Sequence, residues 1–268
     1  MLIFSIVKAK IIHYSSLCYF PLTFLAAYYI YKVWKGEFRW ASWLNYGFVA
    51  VGLIMSGLLI ILPFFPYFKD RITPLVKDRF AVAAMQADVY WSGFEAAIGL
   101  ILLATTLYAA IWGHRRGILW GAIPLFIGTM VVVQGTIYLF IPKIERYSQG
   151  AAIDFFKSVQ DEDAYKTTLD FHSYAQLFYG RTTPEQAANR QAFLENHFGK
   201  NSLEKETYGM QRTQWNLWLM RGNIDKPAYF VTRVDRDKFQ DEKNLKKLGE
   251  KNGYIFYMRP LQPPPGNK

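Results

Sequence analysis

Two lysines, a histidine and a tyrosine near the start of the chain have the types and spacing that could bind an anionic lipid phosphate. Lys8 and Lys10 are point charges that could neutralise a phosphate, while His13 and Tyr14 could donate hydrogen bonds to its oxygen atoms. All four lie where a long apolar run begins, at the expected entry of a helix into a membrane. The pattern also fits interfacial lysines that extend their charged ends to water beside an aromatic belt, so both interpretations stay open here.

Four apolar stretches, at residues 11–31, 43–68, 91–113 and 117–141, predict transmembrane helices in a membrane region that extends over residues 1–142. A helix needs about 20 residues to cross the hydrocarbon core of a bilayer. Residues up to Ile141 contain 11 basic and 5 acidic side chains in clusters, whereas the remaining residues contain 20 and 16, evenly spread. Tryptophans lie near the ends of the stretches, as in the aromatic belts of membrane proteins: Trp34, Trp40, Trp43, Trp91, Trp112 and Trp120.

The segment that joins the second and third stretches has apolar residues at helical spacing. Phe80, Ala84, Ala87 and Trp91 would lie on one face of a helix. One interpretation is an interfacial helix whose apolar face lies on the bilayer, and the other is a simple connector.

The basic residues favour one orientation of the predicted helices, although their number on each side of the membrane does not decide it. The two possible orientations place six or five basic residues on the cytoplasmic side, which is a near tie. The loops Lys32–Arg39 and Gly113–Gly117 are short and basic, the kind that most reliably stays in the cytoplasm. We therefore expect the second half of the chain to face the opposite side of the membrane.

Predicted helices and strands alternate in the second half, which indicates a small soluble α/β domain at residues 143–260. Thr183, Pro184 and Gln186 form a capping box that predicts a helix from there to about Phe198. The proline-rich residues 261–268 are predicted to be disordered. Further helices are predicted at Gln149–Val159, Gln214–Met220 and Asn244–Lys251, strands at Ala164–Leu169, Ala228–Val234 and Tyr254–Met258, and either element at Tyr174–Tyr179.

Motifs of soluble enzymes are absent from the sequence, which has no glycine-rich phosphate loop, GxSxG or HExxH. The four histidines are far apart and Cys18 is the single cysteine, so we expect no metal site, no intramolecular disulfide and no cofactor. The net charge of +10 does not indicate binding to nucleic acid. Its basic residues flank apolar stretches in the first half and alternate with acids in the second.

Other polar and aromatic side chains are assigned structural roles. Glu95 lies near the end of a predicted span, within reach of lipid headgroups, and lining a cavity is the less favoured interpretation. Gln134 is expected to bond a neighbouring helix. Trp215 and Trp218 lie three residues apart on a predicted helix and are expected to pack in the soluble core rather than stack on a sugar.

The stretch S-x-x-K-x-K-x-x-H-Y, from Ser5 to Tyr14 and followed by Pro21, resembles one found in bacterial membrane glycosyltransferases. These are the protein O-mannosyltransferase and aminoarabinose–lipid A transferase families. The later stretches YSQGAAIDFFKS, FHSYAQLFY and IDKPAYFVTRV are also similar to them, so the resemblance extends over nearly the whole chain. The chain resembles the C-terminal part of Bacteroidetes-type members.

This resemblance implies a multi-pass protein of the bacterial inner membrane with a periplasmic α/β domain. It implies glycosyl transfer from a polyprenyl-phosphate-linked sugar, with Lys8, Lys10, His13 and Tyr14 binding the lipid phosphate at the periplasmic face. Its expected partners are that lipid and the surrounding membrane lipids.

The catalytic acid of these families lies in the first periplasmic loop, a region that this chain lacks, so its catalytic residues are unknown. Either Met1 is an internal start of a longer gene, or the chain is a natural half that works with an N-terminal partner subunit, or it is a relic. The alternative function is that of a non-catalytic membrane anchor that displays a periplasmic interaction domain.

Overall fold

The computed structural model describes residues 18–261 of the 268-residue chain. The described chain divides into two compact units. One contains the described residues up to Pro66 together with Trp91–Ile141, and the other contains Tyr67–Tyr90 together with the described residues from Pro142 onward. We call them the membrane unit and the α/β unit.

Long apolar helices make up the membrane unit. Within the described residues, three helical segments are long and apolar enough to cross a membrane: Ser42–Leu75, Ala96–Arg116 and Ile118–Ser148. The predicted first span is described only from Cys18, and its described helix covers the 16 residues Tyr19–Trp34. The predicted beginning of this span lies outside the described residues. Helix α4 and most of α3 belong to the α/β unit, although they lie between membrane helices in the sequence. In chain order the helices are α1 (Tyr19–Trp34), α2 (Ser42–Ile61), α3 (Phe65–Ile72), α4 (Arg79–Met85), α5 (Ala96–Arg116) and α6 (Ile118–Leu139).

Helices α5 and α6 form an antiparallel hairpin whose close approach depends on small residues. Gly121, Gly128 and Gly135 recur every seven residues on α6 and all face α5. A Cβ atom at each of these positions would overlap atoms of Ala109, Thr105 and Ile98, in that order. Small residues of this kind allow two membrane helices to pack backbone to backbone. The single residue Gly117 links the two helices, with a φ of +108°.

A four-stranded sheet forms the centre of the α/β unit, in the order β1-β2-β4-β3. Strands β1 and β2 are parallel, and the other two pairs are antiparallel. The elements are α7 (Ile141–Ser148), α8 (Gly150–Ser158), β1 (Tyr165–Thr168), α9 (Ala175–Tyr179), α10 (Pro184–Phe198), α11 (Lys200–Leu203), α12 (Tyr208–Arg221), β2 (Ala228–Arg233), β3 (Lys246–Lys251) and β4 (Tyr254–Arg259).

The sheet is covered on both faces because β2 and β4 are buried on both sides. Phe230 of β2 packs with Leu219 of α12, whereas the next residue, Val231, packs with Phe156 of α8. Neighbouring residues of a strand point to opposite faces, so α8 and α12 lie on opposite sides of the sheet. This layering fits the predicted α/β class.

Most elements predicted in the second half are confirmed. The three predicted strands match β1, β2 and β4 within two residues, and the stretch left open at Tyr174–Tyr179 is helical. The capping box is present: the Thr183 hydroxyl accepts from the Gln186 backbone N–H at 3.2 Å, and the Gln186 side chain accepts from the Thr183 backbone N–H at 3.4 Å. The predicted helix at Asn244–Lys251 is wrong, because Lys246–Lys251 form β3 and pair with β4 through a tight turn.

The segment between α2 and α5 packs on the α/β unit through Phe80 of α4. The Phe80 ring centroid lies 5.2 Å from that of Tyr254, edge to face, and the Arg233 guanidinium lies 3.8 Å from the Phe80 centroid. Phe80 is therefore half-buried against protein, and the interfacial interpretation of this segment stays a prediction. Trp91 belongs to the other unit and packs against Phe140 there.

Candidate functional site

The four residues predicted to bind a lipid phosphate, Lys8, Lys10, His13 and Tyr14, lie outside the described residues. The structure describes the chain from Cys18, one residue before α1 begins. The placement of these four side chains therefore stays a prediction.

Two polar residues of the membrane unit have clear environments. Glu95 is buried, and its Oε1 accepts from the Ser92 hydroxyl at 3.0 Å and from the Ser92 backbone N–H at 3.4 Å. This places it in the turn before α5. Gln134 is exposed and makes no hydrogen bond to the described residues, so its predicted bond to a neighbouring helix stays a prediction. In this turn of α6, Val132 and Gly135 pack against Ile98 of α5, and Gln134 lies away from this contact.

Trp215 and Trp218 of α12 pack in the core, as predicted. Their rings stack with centroids 4.9 Å apart, and the Tyr165 ring contacts the Trp215 ring edge to face at 5.4 Å. Stacked and edge-to-face pairs of this kind stabilise a core beyond the area that they bury.

A polar cleft in the α/β unit brings cationic side chains together from three elements. Its cavity has a volume of about 110 Å³ and is lined by Lys166 of β1, Gln176 of α9, Arg190 of α10 and, from α12, Tyr208 and Arg212. Among the described residues that line it there is no aspartate or glutamate. The cleft can therefore attract and hold an anion.

The two arginines of the cleft are held in place without ion pairs. Arg212 donates from Nη1 to the carbonyl oxygen of Phe171 at 2.7 Å, and the same nitrogen lies 3.5 Å from Nδ1 of His172. The Arg190 guanidinium lies 5.6 Å from the centroid of the Tyr208 ring, a cation–π contact. Neither arginine forms an ion pair with a carboxylate in the described part of the chain, so both charges are available to a ligand.

Lys166 contributes less to the field of the cleft than the arginines do. Its ammonium donates to the carbonyl oxygens of Glu162, at 2.8 Å, and Gln160, at 3.2 Å, which uses two of its three protons. Burial lowers the pKa of Lys166, although the carboxylates of Glu162, Asp163 and Asp161 act in the opposite direction. These three nearby acids offset its charge.

Gln176 is the one cleft residue whose buried side chain lacks a partner among the described residues. Only 5% of it is exposed, and its Oε1 accepts no hydrogen bond from them. Most buried polar groups are hydrogen-bonded, because an unsatisfied one costs about 1 to 3 kcal/mol. This oxygen is closed off from solvent, so a donor on a ligand in the cleft would reach it only if the amide turned toward the cavity.

The cleft has no signature in the sequence. Arg190 and Arg212 are far apart in the chain and lie on different helices, so no motif connects them. Gln176 lies in a stretch for which the sequence predicts either a helix or a strand and no binding role.

The chain matches no family model and no curated protein sequence. Among solved structures it is similar to the crystal structure of ArnT from Cupriavidus metallidurans bound to undecaprenyl phosphate, with 11% sequence identity and a TM-score of 0.40. The similarity covers 82% of this chain and 38% of the ArnT chain. This chain thus spans well under half the length of that protein.

Proposed function

We propose that this chain is the C-terminal portion of a membrane glycosyltransferase that uses a polyprenyl-phosphate-linked sugar, and that it binds the lipid phosphate of the donor. In this proposal the bound phosphate lies at the periplasmic face of the bacterial inner membrane, and the α/β unit is periplasmic. The residues assigned to the phosphate are Lys8, Lys10, His13 and Tyr14.

The observation that carries the proposal is the order of charged and apolar residues at the start of the chain. Two lysines, a histidine and a tyrosine are followed within five residues by the apolar helix α1, which begins at Tyr19. Three further helical segments with the length and composition to cross a membrane come after it among the described residues. A phosphate attached to a lipid must lie at such a boundary between charge and hydrocarbon.

Electrostatics at this boundary favours phosphate binding. An opposite charge about 4 Å away is worth about 4 kcal/mol at an effective dielectric constant of 20, before desolvation is subtracted. In glycosyl transfer, a cationic site of this kind stabilises the phosphate as it leaves the sugar, while a carboxylate base activates the acceptor hydroxyl. We propose that another portion of the protein, or a partner subunit, supplies this base.

Replacing both lysines tests the proposal. In the chain assembled with its N-terminal portion, Lys8→Ala with Lys10→Ala should weaken polyprenyl-phosphate binding at least tenfold, which is about 1.4 kcal/mol. Arginine at both positions should keep much of the binding, because charge rather than a particular geometry is needed. Binding of a radiolabelled polyprenyl phosphate to the detergent-solubilised protein measures both effects.

The matched control removes a basic pair from another helix end. Arg115 and Arg116 end helix α5, and their double alanine variant should bind the lipid phosphate as the parent does. If the Lys8 and Lys10 double variant also binds like the parent, the lysines are interfacial anchors and the proposed role in phosphate binding is wrong. That outcome would leave the proposed family of the chain untouched. Loss of polyprenyl-phosphate binding by the parent itself would favour the alternative function of a membrane anchor.

A further inference from the structure

The cationic cleft of the α/β unit has the features of a ligand site that the proposed function does not use. We propose that it binds the phosphoryl group of a phosphomonoester that also carries a hydroxyl, with Arg190 and Arg212 holding the anion and Gln176 accepting from the hydroxyl. The inference does not depend on the proposed function, because the cleft and the residues assigned to the lipid phosphate are different.

Charge and geometry favour a phosphoryl group over a carboxylate. Arg190 and Arg212 are two positive charges with no carboxylate partner in the described part of the chain, which matches a phosphomonoester dianion. A guanidinium presents several N–H donors in a planar fork that fits phosphate oxygens. Lys166 adds little, because its charge is offset by three acids and two of its protons are already donated.

Gln176 adds the requirement for a hydroxyl. Its Oε1 is a buried acceptor without a partner in the described structure, and in this proposal the amide turns toward the cavity to accept from the ligand. An ionised phosphoryl group offers only acceptors. The donor must therefore come from another part of the ligand, and the hydroxyl of a sugar or polyol is the simplest such group.

Volume limits how much of the ligand enters the cleft. The cavity of about 110 Å³ has room for roughly three to four water molecules, at about 30 Å³ each. That suits a phosphoryl group with its nearest neighbours, so the rest of the ligand must lie outside. Leu177 and Tyr208, which also line the cavity, are 48% and 42% exposed and offer apolar surface to that remainder. The remainder could be a soluble sugar or the body of a lipid.

Two probes distinguish a soluble sugar phosphate from a phosphorylated lipid headgroup. The detergent-solubilised full chain is titrated with glucose 6-phosphate in a calorimeter, with glucose as the uncharged comparison. In parallel, phosphatidylinositol 4-phosphate is compared with phosphatidylinositol by native mass spectrometry. All titrations use the Lys8→Ala and Lys10→Ala background, so that a phosphate bound at those lysines does not contribute. Binding of glucose 6-phosphate indicates a soluble ligand, and binding of the phosphorylated lipid alone indicates a headgroup.

Three variants connect the binding to the cleft. Arg190→Gln should weaken binding of the phosphorylated probe at least tenfold. Lys238→Gln, which removes an exposed charge elsewhere on the unit, should leave binding unchanged. Gln176→Leu should also weaken binding, yet raise the unfolding temperature, because it replaces an unsatisfied buried amide with an apolar group. The proposal is overturned if neither phosphorylated probe binds, or if Arg190→Gln binds as tightly as Lys238→Gln.

Discussion

Arg259 is a buried charge that satisfies the C-terminal end of a helix. It ends β4, is 4% exposed, and donates to the carbonyl oxygens of Leu219 at 2.8 Å and Gly222 at 2.7 Å. Carbonyls at the end of α12 have no partner within the helix, and a cation there also interacts well with the helix dipole. Burial lowers the pKa of Arg259, but a guanidinium stays charged at any ordinary pH.

Replacing Arg259 should therefore destabilise the α/β unit strongly. Arg259→Met keeps much of the apolar stem but leaves the buried carbonyls unpaired, and we expect a loss of about 3 kcal/mol. Amide hydrogen exchange of β2 and β4 in the full chain measures the free energy of unfolding of this unit. Lys238→Ala, whose side chain is 78% exposed, is the control and should cost less than about 0.5 kcal/mol. A comparable loss in both variants would show that Arg259 does not stabilise the helix end.

The role of Arg259 cannot be predicted from the sequence. A basic residue at the end of a strand is expected at the surface, and the helix end that it serves is some 40 residues earlier in the chain. The prediction that Trp215 lies in the core is confirmed, because large aromatic side chains are highly buried on average. The local sequence pattern does not reveal the role of a residue whose partner lies far away in the chain.

At the level of elements, the hairpin of β3 and β4 shows how a local signal can be overlooked. Lys246–Lys251 consist mainly of residues that favour helices, which led to the wrong prediction. They are followed by Asn252 and Gly253, whose φ values of +48° and +85° belong to a two-residue hairpin turn. Asn-Gly before an aromatic strand predicts such a turn. The many charges of β3 suit an edge strand, where lysine discourages pairing with other chains.

The turn provides a prediction with a control in the same hairpin. Gly253→Ala places a side chain at positive φ, which costs about 1 to 2 kcal/mol, and its Cβ would lie 2.9 Å from the Phe80 ring. We expect a total loss of about 2 kcal/mol. Gly249→Ala on β3 meets no atom within 4 Å and should be neutral or slightly stabilising. Hydrogen exchange of the β4 amides distinguishes the two variants, and equal effects would contradict the role assigned to the turn.

At the level of the whole chain, composition separated the two halves well. Clustered charges and long apolar stretches indicate a membrane helix wherever they occur in a sequence. Each such helix forms its backbone hydrogen bonds within itself and must be long enough to cross the bilayer. The segment from Tyr67 to Tyr90 is different. Its place in the α/β unit rests on the contact of Phe80 with Tyr254, more than 170 residues later, which a single sequence does not reveal.

Contacts within each unit also limit the topology. Trp40, from the loop between α1 and α2, and Arg115, at the end of α5, line the same cavity, so the two short basic loops lie at one end of the membrane unit. Phe80 and Tyr254 are in contact, so the segments before α5 and after α6 must lie on one side of a membrane. The position of the basic loops and the contact of Phe80 with Tyr254 are both accounted for if α5 and α6 each cross the membrane once.

Reporter fusions test this topology and its orientation. The two short basic loops should be cytoplasmic, because positive charge in short loops is retained there. Alkaline phosphatase, which is active only outside the cytoplasm, should be active when it is fused after Lys77 or after residue 145. It should be inactive when it is fused after Arg39 or Arg116, where a fluorescent protein that folds only in the cytoplasm should be bright. The opposite pattern would reverse the orientation and place the α/β unit in the cytoplasm. Different results for the fusions after Lys77 and residue 145 would mean that one of α5 and α6 does not cross, in conflict with the packing of Phe80 on Tyr254.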